Sequence, residues 1–261
     1  MYFLVFLLQI RYNILERVVV FLKKENLFFL ALLAIIVLIA CGCGFLALQK
    51  VENNPIVTDA AKIKEEYEIL NGQINEKNNL KYPTVTLSDD NPFVYRSESE
   101  IVNILKNKTG VIYFGFSSCP WCRSILPILE DAAKEVGLAQ VFYLDIQNIR
   151  DVLELDENNK VVTSKEGSNG YYQIVELLDE YLSEYSLTNE KGEEISTGKK
   201  RLFAPTVVGV LNGEIVSFHE GSLDSQKSGY DALDDKEKEE LKKIYVELIQ
   251  KTLEGTCNEA C

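Results

Sequence analysis

Two thiols two residues apart, Cys119-Pro120-Trp121-Cys122, stand at the junction of two hydrophobic patterns. Before them runs Val111-Ile112-Tyr113-Phe114-Gly115-Phe116, a short, mostly apolar stretch of the kind buried on both faces of a sheet. After them Ile125, Leu126, Ile128, Leu129, Ala132, Ala133 and Val136 recur at helical spacing, and Gly137 closes the pattern. A strand therefore feeds a turn that holds Cys119 at a helix N-terminus and leaves Cys122 one turn deeper. The partial positive charge of a helix start favours thiolate over thiol. Thiols at this spacing can also close a small disulfide and reopen it. The rest of the chain reads as scaffold, anchor or modulation of this pair.

The surrounding patterns predict an α/β domain. Gln140 to Ile146 reads as a second buried strand, so strand–helix–strand order implies a right-handed crossover and parallel pairing. Pro127, inside the helix, removes a backbone donor and is expected to kink it. Ser97 and Glu100 form a capping box before Ile101, Ile104 and Leu105, the apolar face of a short helix. Thr84 to Leu87 reads as a short strand. Val207–Leu211 and Glu214–His219 flank Asn212-Gly213, a strong hairpin signal. Asp231 to Leu253 predicts a closing amphipathic helix with Leu233, Leu241, Ile244, Tyr245, Leu248 and Ile249 buried. Between them, residues 147–202 read as an insertion. There Ile149–Leu155 is expected to form a helical turn or two, and Tyr171–Tyr185 a helix.

The ends of the chain carry different signals. Leu27 to Leu48 is uncharged and almost wholly apolar, long enough at about 1.5 Å per residue to cross a hydrocarbon core of about 30 Å. Lys23 and Lys24 precede it, which places the N-terminus in the cytoplasm and the body outside. A competing reading takes Leu38-Ile39-Ala40-Cys41 as a lipobox with Cys41 lipidated, although Gly44 to Leu48 stays apolar beyond it. Residues 1–26 are either a cytoplasmic lead-in or a translation start set too early. Residues 49–82 read as a polar linker with a short helix over Asp59–Leu70, residues 83–255 as the main domain, and 256–261 as a tail. In that tail Cys257 and Cys261 could bridge with strain, as a second redox pair or as a structural one. Cys41 and Cys43 read as small apolar residues of the membrane helix.

Charge narrows the partners. The net charge is −13, yet residues 1–50 hold five cations against two acids, so they carry +3 and the remainder −16. An acidic body argues against nucleic acid and anionic surfaces as ligands. With one His, one Met and no second C-x-x-C, neither a His-based triad nor a four-ligand zinc site is expected. His219 reads as a strand-end residue.

The strand before Cys119-Pro120-Trp121-Cys122, the Pro127 helix after it, and Ala204-Pro205-Thr206 leading into the Asn212-Gly213 hairpin together resemble the thioredoxin-like superfamily over about Ile101 to Leu253. The resemblance implies a thioredoxin fold, a central mixed sheet flanked by helices, with a helical insertion before a cis-proline segment and an N-terminal transmembrane helix ahead of it. It implies a membrane-anchored extracytoplasmic thiol–disulfide oxidoreductase without cofactor or metal. Cys119 would attack and Cys122 resolve; Pro205, cis, would offer the Ala204 backbone to a substrate strand; Pro120 and Trp121 would form an exposed rim. Its partners would be protein thiols and disulfides and an unidentified redox partner. A narrower likeness is to the bacteriocin accessory thioredoxin-like proteins of Gram-positive bacteria. Where the family carries a buried acid this chain has Tyr113, and where it carries a partner lysine this chain has Tyr143, so the resemblance assigns no proton relay to Cys122. A second class stays open, a non-enzymatic accessory or metal-handling module built on the same fold.

Overall fold

The computed structural model describes residues 57–254, together with Tyr12 and Glu16. The chain divides into two units, Met1–Ile56 and Val57–Cys261, and the architecture here is that of the second. The 1–26 lead-in, the 27–48 span with Cys41 and Cys43, the start of the 49–82 linker and the Cys257/Cys261 tail lie outside the described residues. Among the described residues no helix is long and apolar enough to cross a membrane.

In chain order the elements are α1 (Asp59–Glu68), β1 (Ile74–Asn75), β2 (Leu80–Lys81), β3 (Phe93–Tyr95), α2 (Glu98–Asn107), β4 (Gly110–Gly115), α3 (Pro120–Val136) and β5 (Val141–Asp145). Then come β6 (Val152–Leu155), β7 (Val161–Lys165), α4 (Asn169–Leu177), β8 (Glu184–Thr188), β9 (Glu194–Lys200), β10 (Thr206–Leu211), β11 (Glu214–Glu220) and α5 (Asp235–Glu254).

A mixed five-stranded sheet in the order β11-β10-β4-β5-β3 forms the centre, flanked by helices. β5 runs parallel to β4 and β3, as the crossover rule requires, and β10 runs antiparallel to β4 and β11. The apolar stretch from Val111 to Phe114 is buried on both faces, which explains its lack of alternation. The register sets Tyr113 beside Tyr143 on β5 and Val207 on β10. α3 and α5 pack on each other, and α5 also covers β10.

Local chemistry fixes the helix ends. Ser97 and Glu100 close the expected capping box on α2. Cys119 is the N-cap of α3, Pro120 fills its first turn where no N–H partner is needed, and Gly137 ends it at a left-handed φ of 73°. α5 starts at Asp235 rather than Asp231, because the Asp234 carboxylate and Glu237 cap it reciprocally.

Four expectations need correction. Residues 57–82 are not a linker: α1 buries Ile63 and Tyr67 in the core. Thr84–Leu87 forms no strand, because its backbone pairs with side chains of the preceding segment instead. Asn71 takes both groups of Val85, while Glu68 and Lys64 take those of Leu87. The insertion is mainly two hairpins, β6–β7 and β8–β9, around one short helix. α4 stops at Leu177, and from Glu184 exposed and half-buried residues alternate, which is strand periodicity and pairs with β9. Likewise Val152–Leu155 is a strand, not a helical turn.

The sheet's outer strands are engaged. The Tyr95 N–H of β3 donates to Asp59 of α1 at 3.2 Å. On β11 the Ile215 carbonyl accepts from the Tyr181 hydroxyl at 3.4 Å, and Glu220 accepts from Ser183 at 2.9 Å.

Candidate active site around Cys119 and Cys122

β4 delivers the chain to a tight turn in which the Cys119 N–H donates to the Phe116 carbonyl at 3.1 Å. The Cys122 N–H then donates to the Cys119 sulfur at 3.3 Å. Both cysteines are free thiols; Cys119 is 5% exposed and Cys122 fully buried. The Ala204–Pro205 peptide bond is cis. It leads into β10, which pairs with β4, so the two segments meet although they lie far apart in sequence. The Cys119 thiol donates to the Ala204 carbonyl at 3.4 Å. Cys119, Cys122, Pro120, Trp121, Ala204 and Pro205 thus share one locality.

The two thiols have opposite acidities. Cys119 ionises below an ordinary cysteine: the Cys122 thiol hydrogen-bonds its sulfur, the N–H groups of Cys122 and Trp121 point at it, and Arg150 adds positive charge, all against burial. Cys122 is held well above the ordinary range by burial, and its hydrogen bond to Cys119 and the charge of that thiolate add to this. A thiol that favours its ionised form lies beside one that keeps its proton.

Three neighbours went unread in the sequence. Arg150 lies over the Phe116 ring at 4.9 Å and is the cation nearest in effect to Cys119. Arg123, 1% exposed, donates to the carbonyls of Tyr67 (2.7 Å), Pro83 (2.8 Å) and Ser117 (3.2 Å) and to Asn71 (2.7 Å). It therefore ties residues 67–83 to the thiol helix. The segment 221–234 lies over the Pro120–Trp121 turn. A Cβ on Gly229 would fall 2.7 Å from the Trp121 nitrogen, and Ser124 donates to the Gly229 carbonyl at 3.1 Å. Trp121 is accordingly half-buried, not the exposed rim residue its position implied. Tyr230 anchors this segment by accepting from Asn75 (2.7 Å) and Asn78 (2.9 Å). None of these contacts has a local sequence signature.

Behind Cys122 sits the fully buried Tyr113, whose hydroxyl lies 3.0 Å from that of Tyr67. Its ring lies back along β4 over Gly115, where a Cβ would come within 2.2 Å of the Tyr113 hydroxyl. Only glycine leaves the phenol this path.

Other candidates sit elsewhere. His219 stands at the end of β11, edge-on to Tyr245 at 5.5 Å. A cavity of about 870 Å³ between the ends of the insertion hairpins is lined by Glu154, Asp156, Glu157 and Glu190 among others, and by no thiol-site residue. Among the described residues no group of three or more His, Cys, Asp or Glu side chains is arranged to hold a metal ion.

No family model, curated protein or solved structure matches this chain.

Proposed function

We propose that this chain is a thioredoxin-like thiol–disulfide oxidoreductase, tethered to a membrane through residues 27–48 with its body on the extracytoplasmic side. The single observation carrying the activity is the free thiol pair at the start of α3, with Cys119 as N-cap, its sulfur accepting from the Cys122 N–H and facing the Ala204 carbonyl, and Cys122 fully buried behind it. The central mixed sheet and the cis Ala204–Pro205 bond beside Cys119 support the finer fold reading.

The reaction follows from that asymmetry. The Cys119 thiolate attacks one sulfur of a substrate disulfide. The substrate S–S bond breaks, its second sulfur leaves as a thiolate, and a Cys119–substrate disulfide forms. Cys122 then gives up its proton and attacks the Cys119 sulfur. The Cys119–Cys122 bond forms and the second substrate thiol leaves. Two electrons pass from the pair to the substrate, and an external redox partner restores the dithiol. Run backwards, the same steps oxidise a substrate dithiol. Ala204, whose carbonyl accepts from Cys119, is the backbone edge a substrate strand would meet.

The test is reduction of a model protein disulfide by the reduced chain. Cys119→Ser should abolish it, and Cys122→Ser should accumulate a covalent mixed disulfide. Full activity in Cys119→Ser would overturn the proposal.

A further inference from the structure

The guanidinium groups of this domain are committed, with one exception. Arg123 makes four hydrogen bonds, Arg201 pairs with Asp151, and Arg96 donates to the Tyr95 carbonyl at 2.7 Å. Among the described arginines whose side chains are placed, Arg150 alone makes no side-chain hydrogen bond or ion pair, and its guanidinium lies over the Phe116 ring. It is half-buried, and none of its nitrogens is sealed from solvent without a partner. Such a charge is poorly solvated until an anion meets it, and its flat fork of N–H donors fits both oxygens of a carboxylate.

The backbone around Arg150 ties it to the thiols. The Phe116 carbonyl takes the Cys119 N–H at 3.1 Å, so the ring beneath the guanidinium belongs to the thiol turn. The Ile146 N–H donates to the Gly115 carbonyl at 3.1 Å and the Arg150 N–H to that of Ile146 at 3.3 Å, which fixes the Arg150 loop to the end of β4. On its other side Arg201 donates to the Asp151 carbonyl at 2.9 Å and pairs with the Asp151 carboxylate at 3.6 Å. Arg201 leads through Leu202 and Phe203 to Ala204, whose carbonyl meets Cys119. The loop is thus bound both to the thiol turn and to the cis-proline segment. Asp151 neutralises Arg201, so the unbalanced charge is that of Arg150. Asp145, the acid on the preceding strand, accepts the Gln147 N–H at 2.7 Å and forms no ion pair with Arg150.

We propose that Arg150 binds a carboxylate beside the reacting sulfur of the substrate, and that the site thereby selects cysteines flanked by Asp or Glu.

The proposal rests on the exchange chemistry given to Cys119 and adds its substrate class. Before attack, the Cys119 thiolate is an anion whose charge Arg150 offsets. Attack moves that negative charge onto the leaving sulfur and makes Cys119 a neutral disulfide sulfur. The substrate carboxylate then replaces the thiolate as counter-ion and holds the mixed disulfide in place. No proton moves to or from Arg150. The preference runs against the bulk charge, since a chain of net charge −13 repels acidic peptides at long range and only a local cation reverses that order.

Two measurements test it on the full chain with Cys41, Cys43, Cys122, Cys257 and Cys261 replaced by serine, which leaves Cys119 as the sole thiol. First, Cys119 is alkylated in parallel with iodoacetate and iodoacetamide. In both the thiolate displaces iodide, and the reagents differ only in carrying a carboxylate or an amide. Their rate ratio cancels the ionised fraction of Cys119, so an Arg150 that merely acidifies the thiol leaves it unmoved. Arg150→Met should lower the iodoacetate-to-iodoacetamide ratio about fivefold to tenfold, the worth of a half-buried charge-assisted contact. Arg150→Lys keeps the charge without the fork and should fall between. Second, the chain is given symmetric disulfides of end-blocked peptides with Glu, Gln or Lys beside the cysteine, and the covalent adduct is followed by mass spectrometry. Loading should run Glu fastest, then Gln, then Lys, and Arg150→Met should bring Glu down to Gln or below. An unchanged alkylation ratio in Arg150→Met, or equal loading of the Glu and Gln peptides by the parent, would sink the proposal. Failure of every peptide to load, with the alkylation ratio still falling, would instead overturn the oxidoreductase reading and leave the carboxylate site standing.

Discussion

At the residue scale, the chemistry rests on placing two identical side chains in unlike surroundings. Cys119 has the Cys122 thiol and backbone N–H groups at its sulfur and feels the charge of Arg150; Cys122 has burial and the charge of that thiolate. Reaction of the reduced chain with iodoacetamide should therefore label Cys119 first, with a rate midpoint below that of an ordinary thiol. Arg150→Met removes a positive charge that favours the thiolate, so that midpoint should move up. The same shift has a stability consequence. A thiolate favoured by the fold stabilises the reduced chain fully above the unfolded thiol's pKa, and this is lost as pH falls through the lowered folded value. The melting-temperature gap between the reduced chain and Cys119→Ser should shrink on acidification. The thiol pair and Ala204-Pro205 were legible because each lies inside a local pattern of strand, turn or helix. Arg150 and Arg123 were not, since they reach the thiol turn only through contacts outside any local pattern.

At the element scale, close approaches of backbone decide where the site sits. Gly115 leaves room for the Tyr113 ring, and Gly115→Ala should cost about 1–3 kcal/mol, as overpacked sites do, measured by denaturant unfolding. Gly229 does the same for the segment lying on Trp121. Gly229→Ala should lift that segment, and the emission of Trp121, the sole tryptophan, should move to the red. Strong patterns were readable here: β4, α2, α3, the Asn212-Gly213 hairpin and most of α5. The insertion was not. Tyr171–Tyr185 carries a helical repeat at one end and an alternating one at the other, and the two overlap near Leu178 and Leu182. Both of those leucines are buried, so apolar positions alone could not separate the patterns.

At the scale of the whole molecule, the thiol helix and the segment before the sheet are one folding unit. α1 looks like a linker helix in sequence because it buries only Ile63 and Tyr67. Its docking depends on Arg123, whose four hydrogen-bonding partners lie 6 to 56 residues away. Arg123→Met should cost about 2–4 kcal/mol by leaving those acceptors unpaired, read as a lower unfolding midpoint. A fragment of residues 57–254 should melt cooperatively, whereas one of residues 83–254 should lose that transition in circular dichroism. α1 has one more consequence. Its first residue, Asp59, occupies the outward N–H of Tyr95 on β3, while Tyr181 and Ser183 occupy groups of β11 at the far side. A strand arriving from another copy finds one backbone group of each rim already taken, the Tyr95 N–H and the Ile215 carbonyl. The chain should stay dispersed at concentrations where open-edged sheets stack into aggregates.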